Sequence, residues 1–150
     1  MSIKLNTKKN IYKELLNGVF NEHENVLKET HRLIGDDIEE AADLIAKSLE
    51  SEGTIFWCGN GGSAADSQHI AAEFVGRFKK DRKPLRSIAL TTDTSVLTCV
   101  ANDYSFEEIF SRQINALGRK GDVLVAITTS GKSENIRQAL IQAQKMGIKT

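Results

Sequence analysis

The sequence predicts a doubly wound α/β domain with a parallel sheet, joined to a helical N-terminal extension. Three observations lead there. Three short runs are apolar throughout instead of alternating, as strands buried on both faces are. Helical segments separate and follow these runs, two of them entered through glycine- or hydroxyl-rich turns. Ahead of the first run, the apolar residues repeat with helical spacing.

Taken in order, apolar residues from about Asn10 to Ile34 recur as Ile11/Tyr12, Leu15/Leu16, Val19/Phe20, Val26/Leu27 and Leu33/Ile34, the stripe of one long amphipathic helix. Gly35 is expected to stop it. Asp36-Asp37 then caps a second helix with Ile38, Ala41/Ala42, Ile45 and Leu49 on one face. Residues 1–52 form this extension, and residues 53–150 form the α/β domain. The first strand is expected at Thr54–Cys58, ending in Gly59-Asn60-Gly61-Gly62-Ser63, with a helix from Ala64 to about Phe78.

The basic stretch Lys79–Lys83 runs into Pro84, the only proline, and reads as a solvated connection. Ser87–Leu90 is the second strand. Ser105-Phe106-Glu107-Glu108 has the form of a capping box opening a helix that Gly118 closes. Asp122–Ile127 is the third strand, followed by Thr128-Thr129-Ser130-Gly131 and a helix from Ser133 to Met146 capped by Gly147. Ile148-Lys149-Thr150 has the look of a fourth strand's first step, so the domain is expected to continue past Thr150.

Hydrophobic residues at 40% and charged residues at 27% place the chain among ordinary globular proteins. Twenty basic residues balance twenty acidic ones, which removes any general attraction to nucleic acid or to an anionic membrane. No run approaches the ~18 apolar residues of a membrane span, and no apolar run follows the first charges as in a signal peptide. Cys58 and Cys99 make neither a close metal-type pair nor a disulfide framework. Two reduced, largely buried thiols in a cytoplasmic protein are the expectation.

Three places carry chemistry. Gly59-Asn60-Gly61-Gly62-Ser63 lies at a strand-to-helix turn, where glycines admit an oxyanion to backbone amides and the helix dipole favours negative charge. Gly59, Gly61 and Ala64 also satisfy a relaxed dinucleotide fingerprint. The acidic residue expected about 20 positions on is missing, and no P-loop lysine follows. A tight turn serving packing alone is the plain alternative. Thr128, Thr129, Ser130 and Ser133 surround a second such turn with four hydroxyls, suited to a phosphate monoester; helix capping explains one hydroxyl better than four. The third place is His69 and Glu73, on one helical face at i, i+4 spacing. They read as a metal pair, as a base and its partner, or as a surface pair, and two ligands are fewer than zinc takes. His23 and His31 fall on the polar side of the long helix and read as structural.

The segments Cys58 to Glu73, Ala101-Asn102-Asp103-Tyr104 and Gly121 to Ser133 together resemble the bacterial phosphoheptose isomerases, single-domain members of the sugar-isomerase (SIS) superfamily. The resemblance implies that Asn60, Gly61, Gly62 and Ser63 form a substrate loop, that Asn102 and Asp103 touch substrate, and that Thr128, Thr129, Ser130 and Ser133 hold phosphate. It implies that His69 binds zinc and that Glu73 is both metal ligand and catalytic base. It also implies a homotetramer with the N-terminal helices between subunits. The activity implied is an aldose–ketose isomerisation of sedoheptulose 7-phosphate to D-glycero-D-manno-heptose 7-phosphate through an enediol, serving lipopolysaccharide or capsule synthesis.

Lys132 and Thr128 depart from the family's usual Asn and Ser without disturbing the hydroxyl framework. The family's remaining zinc ligands, a Gln and a His, belong to a later helix, so activity is expected to need residues past Thr150. A non-catalytic SIS protein that binds a replication initiator is the rival, disfavoured because that relative lacks the Glu found at Glu73. A sugar-phosphate-sensing regulator would carry a DNA-binding module, and none is visible.

Overall fold

The computed structural model describes residues 2–150, with side chains from Asn10 onward. Met1, part of the expected extension 1–52, lies outside the described residues. The chain divides into two units, Met1–Ala42 and Asp43–Thr150.

Helix α1 spans Ser2–Glu50. The expected break at Gly35 is present as a kink, where two helical runs meet. Ile34, immediately before Gly35, leaves helical geometry at φ −131° and ψ 18°, and a second helical run follows through Asp36 and Asp37. Lys28 and Arg32 pair with Glu24 and Glu29 on the exposed surface. Along the apolar stripe, Leu15, Phe20, Leu27 and Leu33 are each more than 60% exposed.

The second unit is an α/β sandwich. Strands β1 (Ile55–Gly59), β2 (Ser87–Ala89) and β3 (Val123–Ile127) run parallel in the order β2-β1-β3. Lys149 bridges to Val123, so the expected fourth strand does begin beside β3. Every residue of β1 is buried, because it is hydrogen-bonded on both edges and covered on both faces.

The pleat sends alternate side chains to opposite layers. Phe56, Cys58 and Leu124 face Val100, Ile114, Ile136 and Ala139 from α3 (Thr94–Asp103), α4 (Ser111–Leu117) and α5 (Glu134–Lys145). Ile55, Trp57 and Val123 face Ala71 and Phe74 of α2 (Gly62–Val75), with Leu44, Ile45 and Leu49 from the end of α1. Each large apolar side chain so buried is worth about 1.5–3 kcal/mol. Edge strand β2 is covered less completely, leaving Ile88 42% exposed.

Three local expectations need correction. Residues 94–103 form a helix that apolar spacing did not mark; Asp93 caps it by accepting from the Val96 N–H at 2.9 Å. The capping box at Ser105 is not made: Ser105 forms no side-chain cap, and a single 3-10 turn, Phe106–Glu108, precedes α4. Ile109 and Phe110, which follow that turn, are both buried in the core. Lastly, Cys99 is exposed and only Cys58 is buried. Burial pushes the Cys58 thiol up to about 12.

Asp122, 2% exposed, clamps the entrances of β1 and β3. Its carboxylate accepts from the Thr54 N–H at 2.8 Å and from the Arg119 N–H at 2.8 Å. Asp122→Ala leaves two amides without that acceptor, at about 1–3 kcal/mol for each one stranded from water. A lower urea midpoint with unchanged slope is expected, and Asp122→Asn, which keeps one acceptor oxygen, should lose less.

Candidate active site

In the order β2-β1-β3 the chain winds first to one side of β1 and then to the other. The switch point therefore lies between the carboxyl ends of β1 and β3, where doubly wound sheets take their ligands. Gly59 pairs with Ile127 at those ends, so the two predicted turns emerge side by side.

The first turn is built tightly on one side and open on the other. A Cβ on Gly59 would lie 2.6 Å from the Ser63 carbonyl oxygen, so only glycine lets the strand pass under the helix start. Gly61 sits at φ 55° and ψ −121°, where a side chain is strained. The Ser63 N–H donates to the Asn60 carbonyl at 3.0 Å. Above Gly61 and Gly62 there is open space, with no atom within 4 Å of a built Cβ. No side chain caps α2, so its amino end faces that space.

In the second turn the hydroxyls shape the loop themselves. Thr128 Oγ1 accepts from the Gly131 N–H and Ser130 Oγ from the Lys132 N–H, both at 3.2 Å. Gly131 takes φ 65° to close the turn. A hydroxyl that accepts an amide keeps its own hydrogen, so the loop still offers O–H donors to an anion. Ser133 is the N-cap residue of α5 and makes no side-chain cap bond. Glu134, next in line, is bound by Arg137 at 2.7 and 2.6 Å and by Gln138 at 2.6 Å. Those bonds, Arg137 first, hold its carboxyl below the usual range and partly answer its charge beside the anion-suited turn.

One contact joins the turns. Asn60 Nδ2 donates to Asn135 Oδ1 at 2.9 Å, and Asn135 Nδ2 donates back to Asn60 Oδ1 at 2.8 Å. Asn135 is 2% exposed, in the first turn of α5. Sequence reasoning passed over it. The available signal was an amide side chain immediately before the apolar Ile136, in a helical turn whose neighbours were already assigned to a ligand loop.

His69 and Glu73 lie two turns into α2, with His69 Nε2 3.4 Å from Glu73 Oε1. Glu73 is half-buried and His69 exposed. They border an open cavity of about 420 Å³ whose other walls are Ile70, Phe74, Phe78 and Arg82. Arg82 caps the helix below them, donating to the Glu73 and Phe74 carbonyls at 2.7 and 2.8 Å. Among the described residues no third His, Cys, Asp or Glu joins the pair in a metal-sized group. Asn102 and Asp103 end α3 and are exposed. Asn102 donates to Asp103 at 2.7 Å, and no hydrogen bond among the described residues ties either side chain to the two turns.

The model of the SIS domain matches residues 20–150. The phosphoheptose isomerase of Helicobacter pylori is 47% identical over 91% of this chain and 71% of its own length. That of Aquifex aeolicus is 50% identical over 91% and 72%. Among solved structures, phosphoheptose isomerase GmhA from Neisseria gonorrhoeae superposes with a TM-score of 0.83 at 43% identity, over 91% of this chain and 71% of that one. A phosphoheptose isomerase from Francisella tularensis gives 0.85 at 37%, over 90% and 71%. This chain belongs to the phosphoheptose isomerase family of SIS-domain proteins.

For a phosphoheptose isomerase family member, the environment of Asp103 has a measurable handle. Cys99 Sγ donates to Asp103 Oδ2 at 3.4 Å. That bond, and then the carboxylate's charge, push the Cys99 thiol above its ordinary value, while the bonds from Asn102 and Cys99 hold Asp103 below the carboxylate range. A raised thiol pKa lowers the thiolate fraction at any given pH near neutrality. Alkylation at pH 7–8, followed by mass spectrometry, is therefore expected to label Cys99 more slowly than an ordinary free cysteine and to leave Cys58 unlabelled until the protein is denatured. Asp103→Asn should accelerate labelling of Cys99.

Proposed function

We propose that this protein is an isomerase that interconverts sedoheptulose 7-phosphate and D-glycero-D-manno-heptose 7-phosphate through an enediol. The observation that carries the substrate is the pair of turns at the β1–β3 switch point. One offers four hydroxyls and a helix amino end for a phosphate; the other offers open space over glycine amides for a polyol. A dinucleotide would use one such turn, whereas a phosphorylated sugar uses both.

Glu73 acts as base. It takes the proton from the carbon beside the carbonyl, the electron pair becomes the enediol double bond, and the carbonyl oxygen gains a proton. Return of a proton to the neighbouring carbon, with loss of one from the other oxygen, completes the exchange. Half-burial beside Ile70, Phe74 and Phe78 supports this role, because such walls limit the water competing for the carboxylate.

A zinc ion at His69 and Glu73 is consistent with their geometry. With zinc bonds of about 2.0–2.1 Å, two tetrahedral ligands stand about 3.3 Å apart, against 3.4 Å here. These two residues supply half a shell. Further ligands would come from outside this sequence, the matched region covering 71% of the Helicobacter pylori relative. When bound, the ion polarises the substrate carbonyl.

The protein is further inferred to work as a homotetramer, which covers the exposed stripe of α1, and to supply heptose for lipopolysaccharide or capsule in the cytoplasm. No helix among the described residues is long and apolar enough to cross a membrane.

Two experiments on the full-length protein test these assignments. Glu73→Gln keeps shape but cannot take the proton. Turnover of sedoheptulose 7-phosphate should fall by about 10²–10⁴-fold while binding of a non-reactive analogue persists. Wild-type rates, or no solvent deuterium entering the sugar with the parent protein, overturn the catalytic reading. The second experiment replaces Ser130 and Ser133 with Ala. Sugar-phosphate binding should weaken by about 1–3 kcal/mol in titration calorimetry, with unchanged circular dichroism.

A further inference from the structure

The Asn60–Asn135 pair is a reciprocal amide contact in which each side chain gives one N–H and receives one. Its two members belong to different loops. Asn60 lies in the turn after β1, and Asn135 in the first turn of α5, two residues beyond Ser133. We infer that Asn135 is a positioning residue for the isomerisation, holding the polyol turn and the phosphate turn at a fixed separation and fixing the orientation of the Asn60 amide toward the sugar. The inference rests on the proposed substrate, since only a ligand spanning both turns senses their separation.

Three features support it. First, the contact lies at the switch point itself. β1 and β3 are adjacent at Gly59 and Ile127, and the pair joins the residue after Gly59 to the start of α5, the helix that follows β3. Second, the amides are specific in what they hold. An Asn carbonyl accepts and its NH₂ donates twice, so the exchange consumes one donor on each side and leaves Asn60 one further N–H. With the Asn60 carbonyl already accepting from Asn135, that remaining N–H is the side chain's free donor, suited to a hydroxyl or carbonyl oxygen of a sugar. Third, the two loops otherwise brace themselves separately. Thr128 and Ser130 bond within the second turn, and Asn60, Gly61 and Ser63 within the first. Among the described residues, this pair is the side-chain hydrogen bonding that crosses between them. Asn135, at 2% exposure, contributes without standing in the ligand space.

A residue that only stabilises the fold would lower every binding property together, so the test separates a spanning ligand from one confined to a single turn. The full-length protein, Asn60→Ala, Asn135→Ala and the double variant are compared for sedoheptulose 7-phosphate turnover and binding, for binding of inorganic phosphate alone, and for melting temperature. Asn135→Ala is expected to lower kcat/KM at least tenfold and to weaken the sugar phosphate, while inorganic phosphate affinity stays within twofold. The double variant should be no worse than Asn60→Ala within twofold, because Asn135 acts through Asn60.

Independent, multiplicative losses in the double variant overturn the inference, as does kcat/KM within twofold of the parent for Asn135→Ala. Parallel loss of inorganic phosphate also overturns it. If Asn135→Ala does not fold, Asn135→Asp replaces it in the same comparison. That variant keeps the volume and the acceptor but cannot return the N–H to Asn60, so the same split between sugar phosphate and phosphate is expected. Should the parent protein show no turnover, the isomerase reading fails by itself, and the sugar-phosphate and phosphate titrations still decide the role of Asn135.

Discussion

Strand β1 is the constraint on which the α/β unit depends. It is the one strand hydrogen-bonded along both edges, and none of its five residues reaches solvent appreciably. Its alternate side chains seed both core layers, so a change in register would exchange Phe56 and Cys58 for Ile55 and Trp57 and bring the wrong volumes to each. The Trp57 indole N–H, bonded to Ser87 Oγ at 2.8 Å, and Asp122, bonded at the strand's entrance, pin that register from both neighbours. Because β1 is fixed, so is the place where its chain turns into α2, and with it one wall of the crevice.

The crevice then divides its labour between backbone and side chains. Glycine geometry and uncapped helix ends supply the anion-suited surface, with little that depends on side-chain rotamers. The proposed reacting groups are different. His69 and Glu73 meet through helical spacing, and a contact of this kind with an exposed His69 contributes little to stability. They border a cavity walled by Ile70, Phe74, Phe78 and Arg82.

Much of this was legible in the sequence because backbone requirements leave plain marks. The strands at Ile55 and Val123 showed as unbroken apolar runs, and both ligand turns showed as glycine and hydroxyl clusters at strand ends. Helix α3 left no such mark, since Thr94, Ser95 and Thr98 dilute its apolar face and a single carboxylate, Asp93, sets its start. The capping box at Ser105 matched a local pattern, but tertiary packing of Ile109 and Phe110 decided the geometry there. The break at Gly35 was legible as a glycine followed by two capping-type acids, and the backbone leaves helical geometry one residue earlier, at Ile34. The Asn60–Asn135 contact could not be seen at all. It joins residues 75 positions apart, and only the sheet order brings them together.

The placement of Trp57 has a spectroscopic consequence. It is the sole tryptophan, buried at 5% exposure, two residues before Gly59. Its ring lies 5.6 Å from that of Phe74, which in turn forms a wall of the cavity beside Glu73. The indole is thus screened from bulk water yet one aromatic ring away from the crevice. Tryptophan emission from this protein therefore comes from a single indole, which one side chain separates from the cavity. The molecule carries a built-in optical reporter of its own site, with no label to attach.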